Sequence, residues 1–212
     1  MMKRLVSGVT LLCLLVPGTV QATTFQQMLV LAALERTRHQ VSYNGAYYAL
    51  VYPNGDVPSN IGVCTDVVIR AYRALGVDLQ VLVHEDMVSN FAAYPSKRIW
   101  GLNFTDRNID HRRVPNLQTF FRRHGESFPV SHRPADYAPG DMVTWVLPGN
   151  LPHIGIVTDR KVEGSDTPLI VHNIGAGPEL EDMLFDYEIT GHYRYPPSAA
   201  TGSTRQDITR SR

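Results

Sequence analysis

Gly62-Val63-Cys64-Thr65-Asp66-Val67-Val68-Ile69-Arg70-Ala71-Tyr72-Arg73-Ala74-Leu75-Gly76 is the stretch on which the fold turns. Cys64, Val67, Val68, Ala71, Tyr72 and Leu75 recur at i, i+3, i+4, i+7, i+8 and i+11, the spacing of one helix face. Asn60 or Gly62 can start this helix, and Gly76 is a natural C-terminal stop. Cys64 then falls in the first turn, where a helix carries partial positive charge and free N–H groups that favour an anion. A thiol so placed is expected to have a lowered pKa, and the thiolate is the nucleophile. Cys64 also lies on the apolar face, and free cysteine is among the most buried residue types, so an inert core thiol fits the same position.

Upstream, Thr24-x-x-Gln27 has the form of a capping box, with Phe25, Met28, Leu29, Ala32 and Ala33 at helical spacing through about Arg38. Residues 42–60 are rich in Tyr, Gly, Pro and Asn and read as irregular. Downstream, Met87, Val88 and Phe91 suggest a short helical turn, and Asn116 to His124 a further helix closed by Gly125. After Pro139-Gly140 the period changes. Met142 to Leu147, Ile154 to Thr158, Leu169 to Asn173 and Gly191 to Tyr195 are short β-rich runs separated by Gly, Pro and Asp. Helices first and strands later predict an α+β domain with a small antiparallel sheet.

The ends read differently. Met1-Met2-Lys3-Arg4, the apolar run Leu5 to Val16 and the site Val20-Gln21-Ala22 have the form of a secretory signal cut after Ala22. The run is too short to span a bilayer, which needs roughly 20 apolar residues. A periplasmic or secreted protein is expected, with no integral membrane segment after cleavage. Residues 23–195 would form the domain, and residues 196–212, which hold almost no large apolar group, a disordered tail. Removing residues 1–22 takes away two cations, Lys3 and Arg4, and no acid, so a net charge of 0 becomes −2. No basic excess marks a nucleic-acid binder. The signal also removes Cys13, leaving Cys64 alone, and an exported lone cysteine is buried and inert, paired to another chain, or reactive.

Two histidines can serve that thiol. His153 opens a strand after the turn Pro148-Gly149-Asn150-Leu151-Pro152, a rigid yet reachable position for a general base. A satisfied surface histidine fits there equally. His172, on the following strand, can face His153 across an antiparallel pair and fix its tautomer, or be a buried histidine bonded to a carbonyl. Asn173 points to the other face and is the second choice for that orienting role. In the long middle segment, Asp110, His111, Arg112 and Arg113 are too polar for a core strand. The arginines can clamp a substrate carboxylate bidentately, or belong to a solvated loop with an internal Asp–Arg pair. Asp66 either contacts the N–H groups at its helix head or joins the substrate-binding set.

These residues carry a resemblance. The Asn60-to-Leu75 helix, the Gly140-Asp141-Met142-Val143 strand, His153-Ile154-Gly155-Ile156-Val157 and the His172 strand resemble, in that order, the parts of the papain-like cell-wall hydrolases of the NlpC type. More specifically, Gly62 to Val68, Asn108-Ile109-Asp110-His111-Arg112-Arg113-Val114-Pro115-Asn116 and Val171-His172-Asn173-Ile174-Gly175-Ala176-Gly177 resemble the exported family catalogued as domain of unknown function 1287. The resemblance implies a papain-like fold, with a Cys64–His153–His172 site cleaving an amide and no cofactor. It also implies peptidoglycan or another peptide as partner. The chain departs from the NlpC pattern in having Val63 before the cysteine, Thr65-Asp66 after it, and about 60 residues between the helix and Gly140. Acyl transfer is the same chemistry with an amine in place of water. A non-catalytic envelope-binding protein on this fold is the rival reading. A zinc site of Cys64, His153 and His172 is a lesser one, for want of close-spaced ligands.

Overall fold

A computed structural model describes residues 23–195. The expected signal segment and tail lie outside the described residues. Helix α1 (Phe25–Arg36) starts on the expected capping box: Gln27 N–H donates to Thr24 Oγ1 at 3.2 Å and Thr24 N–H to Gln27 Oε1 at 2.8 Å. The irregular segment that follows holds only a two-residue parallel ladder, β1 (Ser42–Tyr43) with β2 (Ile61–Gly62), which leads the chain into α2 (Cys64–Ala74). Gly76 ends that helix at φ +77°, a left-handed turn that glycine adopts without strain.

Helix α2 is the hub. Every residue from Cys64 to Tyr72 is buried, not just the apolar face. The polar face is made tolerable by ion pairs: Asp66 with Arg112, and Arg70 with Asp56. Helix α3 (Leu79–Asn90) is a full element where a short turn was expected, capped by Asp78, which accepts from Gln80 N–H at 2.9 Å. Its buried face includes Gln80 and Asp86, and those polar residues blur the apolar period. After α4 (Ser96–Trp100), α5 (Val114–His124) buries Leu117, Phe120 and Phe121 as predicted and starts two residues early.

The sheet is antiparallel throughout. Strands β3 (Glu126–Phe128), β4 (Met142–Leu147), β5 (Leu151–Lys161), β6 (Pro168–His172), β7 (Glu179–Glu181) and β8 (Glu188–Arg194) lie in the order β3-β8-β4-β5-β6-β7. The architecture is α+β, with helices on one face. Ile154, Ile156 and Val171 face α2 and join Cys64 in the main core. Trp145, Val157 and Ile170 face the other way, into a second cluster with Met183 and Leu184. The Gly-Asp turn that leads β4 is structural: buried Asp141 accepts from His192 Nε2 at 2.7 Å and from Arg194 Nε at 2.7 Å, tying β4 to β8.

Candidate active site

Cys64 sits at the head of α2, facing the mouth of β5. The backbone N–H groups of Ile154, Thr65 and Cys64 itself act on its sulfur in the direction that favours a thiolate. Ile154 has this N–H to offer because the β5–β6 ladder begins only at Ile156–Val171, leaving the mouth open on that side. The thiol is nevertheless 4% exposed, and burial pushes it up to about 12, with Asp66 adding to the rise. The expectation of a lowered pKa is therefore reversed: desolvation outweighs the helix head and the three donors.

His153 is next to Ile154 in the chain and 1% exposed. Strand alternation turns its ring toward Trp145, its β4 partner, with ring centroids 6.0 Å apart. The sulfur thus meets the strand at Ile154 from the α2 side, while the imidazole leaves the neighbouring Cα toward the second cluster. His153 Nε2 lies 3.0 Å from His172 Nδ1, and His172 Nε2 lies 2.8 Å from Glu181 Oε2 on β7. Burial holds His153 down to about 3, and the positive form of His172 acts in the same direction. His172 is also lowered by burial, against the opposing pull of Glu181.

This chain fixes tautomers. A carboxylate only accepts, so His172 donates from Nε2 and accepts at Nδ1. His153 must then donate from Nε2, which leaves its Nδ1 with a bare lone pair. Gly155 makes the approach possible. A Cβ there would stand 2.6 Å from Ile170 Cγ2 and 3.1 Å from His172 Cβ. Glu181 escaped sequence reasoning because Glu179-Leu180-Glu181 is a short, half-polar edge strand with no apolar alternation to announce it. A cavity of about 320 Å³ opens beyond it, lined by His172, Glu181, Asp182 and Asp186.

Asn173 does not orient His153. Its Oδ1 accepts from Gly175 N–H at 3.1 Å, and its Nδ2 is buried without a partner. Continuing the β5–β6 register sets Asn173 opposite Ile154, on the face shared by Val171 and Cys64.

The middle segment turns inward, away from the role of a substrate clamp. Arg112 Nε and Nη2 each donate to the Asp66 carboxylate at 2.9 Å, both side chains being 3% exposed. Asp66 Oδ2 also accepts from Val63 N–H at 2.7 Å, so it caps α2 and anchors the 110–112 turn at once. Arg113 bonds Asp110 at 3.0 Å and lies 4.4 Å over the Trp100 ring. His111 is buried and held down to about 3 by desolvation and by Arg112 and Arg73. Among the described residues no group of three or more His, Cys, Asp or Glu side chains is placed to hold a metal ion, and no helix is long and apolar enough to cross a membrane.

Fold and site together define a small α+β domain in which a helix-head cysteine abuts an antiparallel sheet carrying a His–His–Glu chain whose two imidazoles are buried. The chain belongs to the family described as Domain of unknown function (DUF1287), whose model matches residues 30–195. It is 54% identical over 169 residues to a protein of Escherichia coli (strain K12) described as "Uncharacterized protein YijF", covering 78% of this chain and 81% of that one. Two solved structures are similar to it. NlpC1 from Trichomonas vaginalis matches at 14% identity over 84% of this chain and 46% of its own, with a TM-score of 0.44. NlpC2 from the same organism matches at 16% over 82% and 50%, with a TM-score of 0.42. The chain spans about half the length of each.

Proposed function

We propose that this protein is an exported cysteine hydrolase that cleaves an amide bond, with Cys64 as nucleophile, His153 as general base and His172 as the group that orients the base. The observation that carries this is the hydrogen-bonded chain His153–His172–Glu181, which ends in a bare Nδ1 beside the strand residue whose N–H meets the Cys64 sulfur. In the proposed step the Cys64 thiol turns from the α2 side into the strand mouth, where His153 Nδ1 takes its proton as sulfur attacks the carbonyl carbon. The C=O bond becomes a C–O⁻ held by the Cys64 N–H and by the orphan Nδ2 of Asn173. The C–N bond then breaks as His153 returns its proton to the leaving amine, and water releases the acid from the thioester. With an amine in place of water the same steps give acyl transfer. The resemblance of the helix and strands to NlpC-type hydrolases, together with the signal-like residues 1–22, supports peptides of the cell wall as substrates and the periplasm or exterior as location. The test is digestion of cell-wall peptide fragments by the purified protein and by Cys64→Ala: new amines are expected with the former alone, and equal cleavage by both removes the proposal.

The burial of Cys64 supports a second reading, a binding protein whose thiol is simply core. A ligand that binds Cys64→Ala and the unsubstituted chain alike, with no turnover by either, favours it.

A further inference from the structure

A second cavity lies away from the thiol. A groove of about 620 Å³ runs between the 91–98 segment and the outer face of α5. Its size falls in the range of small-ligand sites. On α5 it is walled by Pro115, Gln118, Thr119 and Arg122, a single stripe at i, i+3, i+4 and i+7 opposite the buried Leu117, Phe120 and Phe121. Lys97, Arg98 and Arg122 all line it, and no aspartate or glutamate does.

Elsewhere among the described residues most arginines are ion-paired, Arg36, Arg107 and Arg160 being the exceptions, and none of those three lines this groove. Arg70, Arg73, Arg112, Arg113, Arg123 and Arg194 are each paired with a carboxylate. Lys97, Arg98 and Arg122 form no ion pair among the described residues. Arg122 is held in place: its Nη2 donates to Thr119 Oγ1 at 3.1 Å and its Nη1 to Tyr193 Oη at 3.3 Å, so its guanidinium is positioned before any ligand arrives. Between the cations the floor is small and apolar, with Ala92, Ala93 and Pro95. At the inner wall Gln118 Nε2 bonds Thr144 Oγ1 at 2.8 Å, and Thr144 pairs across β4–β5 with Ile154, so the groove ends one strand from the thiol.

We infer that this groove binds a short acidic peptide, its carboxylates on Lys97, Arg98 and Arg122 and its small side chains on the Ala–Pro floor. Two facing walls suit an extended chain better than a flat anionic membrane, and of the two aromatic rings in the lining Tyr94 is buried on Asp86 and Phe91 packs against the main core, which leaves no pair of free ring faces for a base. Guanidinium forks match carboxylates, and like charges gathered without acids repel one another until an anion arrives. The inference concerns binding and stands whether or not Cys64 performs chemistry.

The experiment is calorimetric titration of the intact protein, and of its Cys64→Ala form, with the peptide Ala-Glu-Ala-Glu, its amide counterpart Ala-Gln-Ala-Gln, and vesicles rich in phosphatidylglycerol. Saturable binding of the acidic peptide alone is expected, equal in both protein forms. It should weaken about ten-fold or more in Arg122→Gln, since a charge-assisted bond contributes about 1.5–3 kcal/mol. It should be lost in the Lys97→Gln/Arg98→Gln pair and weaken between about 0.05 M and 0.5 M salt. Arg160→Gln, an exposed cation on β5, should bind normally, and all variants should melt like the parent. Equal binding of both peptides, binding indifferent to Arg122→Gln, absence of binding, or binding to vesicles alone would each overturn the inference. Loss of cell-wall cleavage in Cys64→Ala, with peptide binding intact, separates its fate from that of the catalytic proposal.

Discussion

Cys64 offers a direct measure of how far burial overrides the helix head. Its thiol rises from 9.0 to about 12. At pH 8 an unperturbed thiol of pKa 9 is about one-tenth thiolate, whereas Cys64 would be about one ten-thousandth, a roughly thousand-fold deficit. Labelling with iodoacetamide, read on the peptide that contains Cys64, should therefore run about a thousand-fold slower than a free cysteine at pH 8. Access and ionisation are separable by slope. A thiol that is merely hard to reach labels slowly but levels off near pH 9, whereas one held protonated keeps gaining about ten-fold per pH unit beyond that. His153→Ala should leave this profile unchanged, because a neutral imidazole gives the neutral thiol no charge to lean on. Labelling of the folded protein at pH 7 as fast as free cysteine, and slowed by His153→Ala, would refute the reasoning and establish a standing thiolate–imidazolium pair. The same shift makes stability fall as pH rises above 9, where the unfolded thiol ionises and the folded one does not.

Asp66→Ala strands the buried Arg112 guanidinium and should cost about 3–5 kcal/mol, while Asp66→Leu with Arg112→Met should recover most of it in urea unfolding. An Asp66→Ala protein of unchanged stability would return Arg112 to the role of a substrate clamp. His153 and His111 are each held near 3 by burial. The unfolded histidines bind protons near 6.5 and the folded ones do not, so stability is full above about pH 7 and falls between about 6.5 and 3. A denaturation midpoint flat from pH 7 to 4 would contradict this. Glu181→Gln can donate to His172 Nε2, reverse both tautomers and put a proton on His153 Nδ1. The histidine ¹⁵N shifts should report that reversal directly, and turnover, where present, should drop about a hundred-fold; unchanged shifts would dismiss the tautomer argument.

What was legible in the sequence followed from periodicity. The Cys64 helix, its Gly76 stop, the Thr24 cap, the α5 face and the β4, β5 and β6 runs all have apolar residues repeating at 3.6 or 2, and each formed close to where it was expected. Elements whose buried positions are polar were not legible. Gln80 and Asp86 disguised α3, and the two glutamates of β7 disguised a strand that carries Glu181. The polar run 110–113 looked exposed because, although Arg113 pairs with Asp110 inside it as one sequence reading allowed, the Asp66 carboxylate that buries Arg112 lies 46 residues away in sequence. Sequence patterns report what a residue is, while the direction of a charged side chain is decided by partners that only the folded chain brings near.

The same principle bears on the sulfur. A standing ion pair between Cys64 and His153 would put two charges where water has been excluded, and that cost is several kcal/mol per ion before any attraction is counted. Neutral partners avoid it. In the proposed hydrolysis the proton would move only when a carbonyl is present to receive the sulfur's electrons, so that charge would pass directly to the oxyanion instead of waiting on the thiolate. The imidazolium of that proposed step would not be isolated, because the His153 Nε2–H points at His172 and the negative charge of Glu181 stands behind that ring, 43% exposed at the cavity edge. A carboxylate reaching His153 through a second imidazole would stabilise that proposed transient charge without bringing its own hydration shell into the core. On the proposed mechanism, burial of the thiol and reach of the His–His–Glu chain are thus two sides of one arrangement, in which the strand mouth stays dry and the charge that would serve it is kept at the sheet edge.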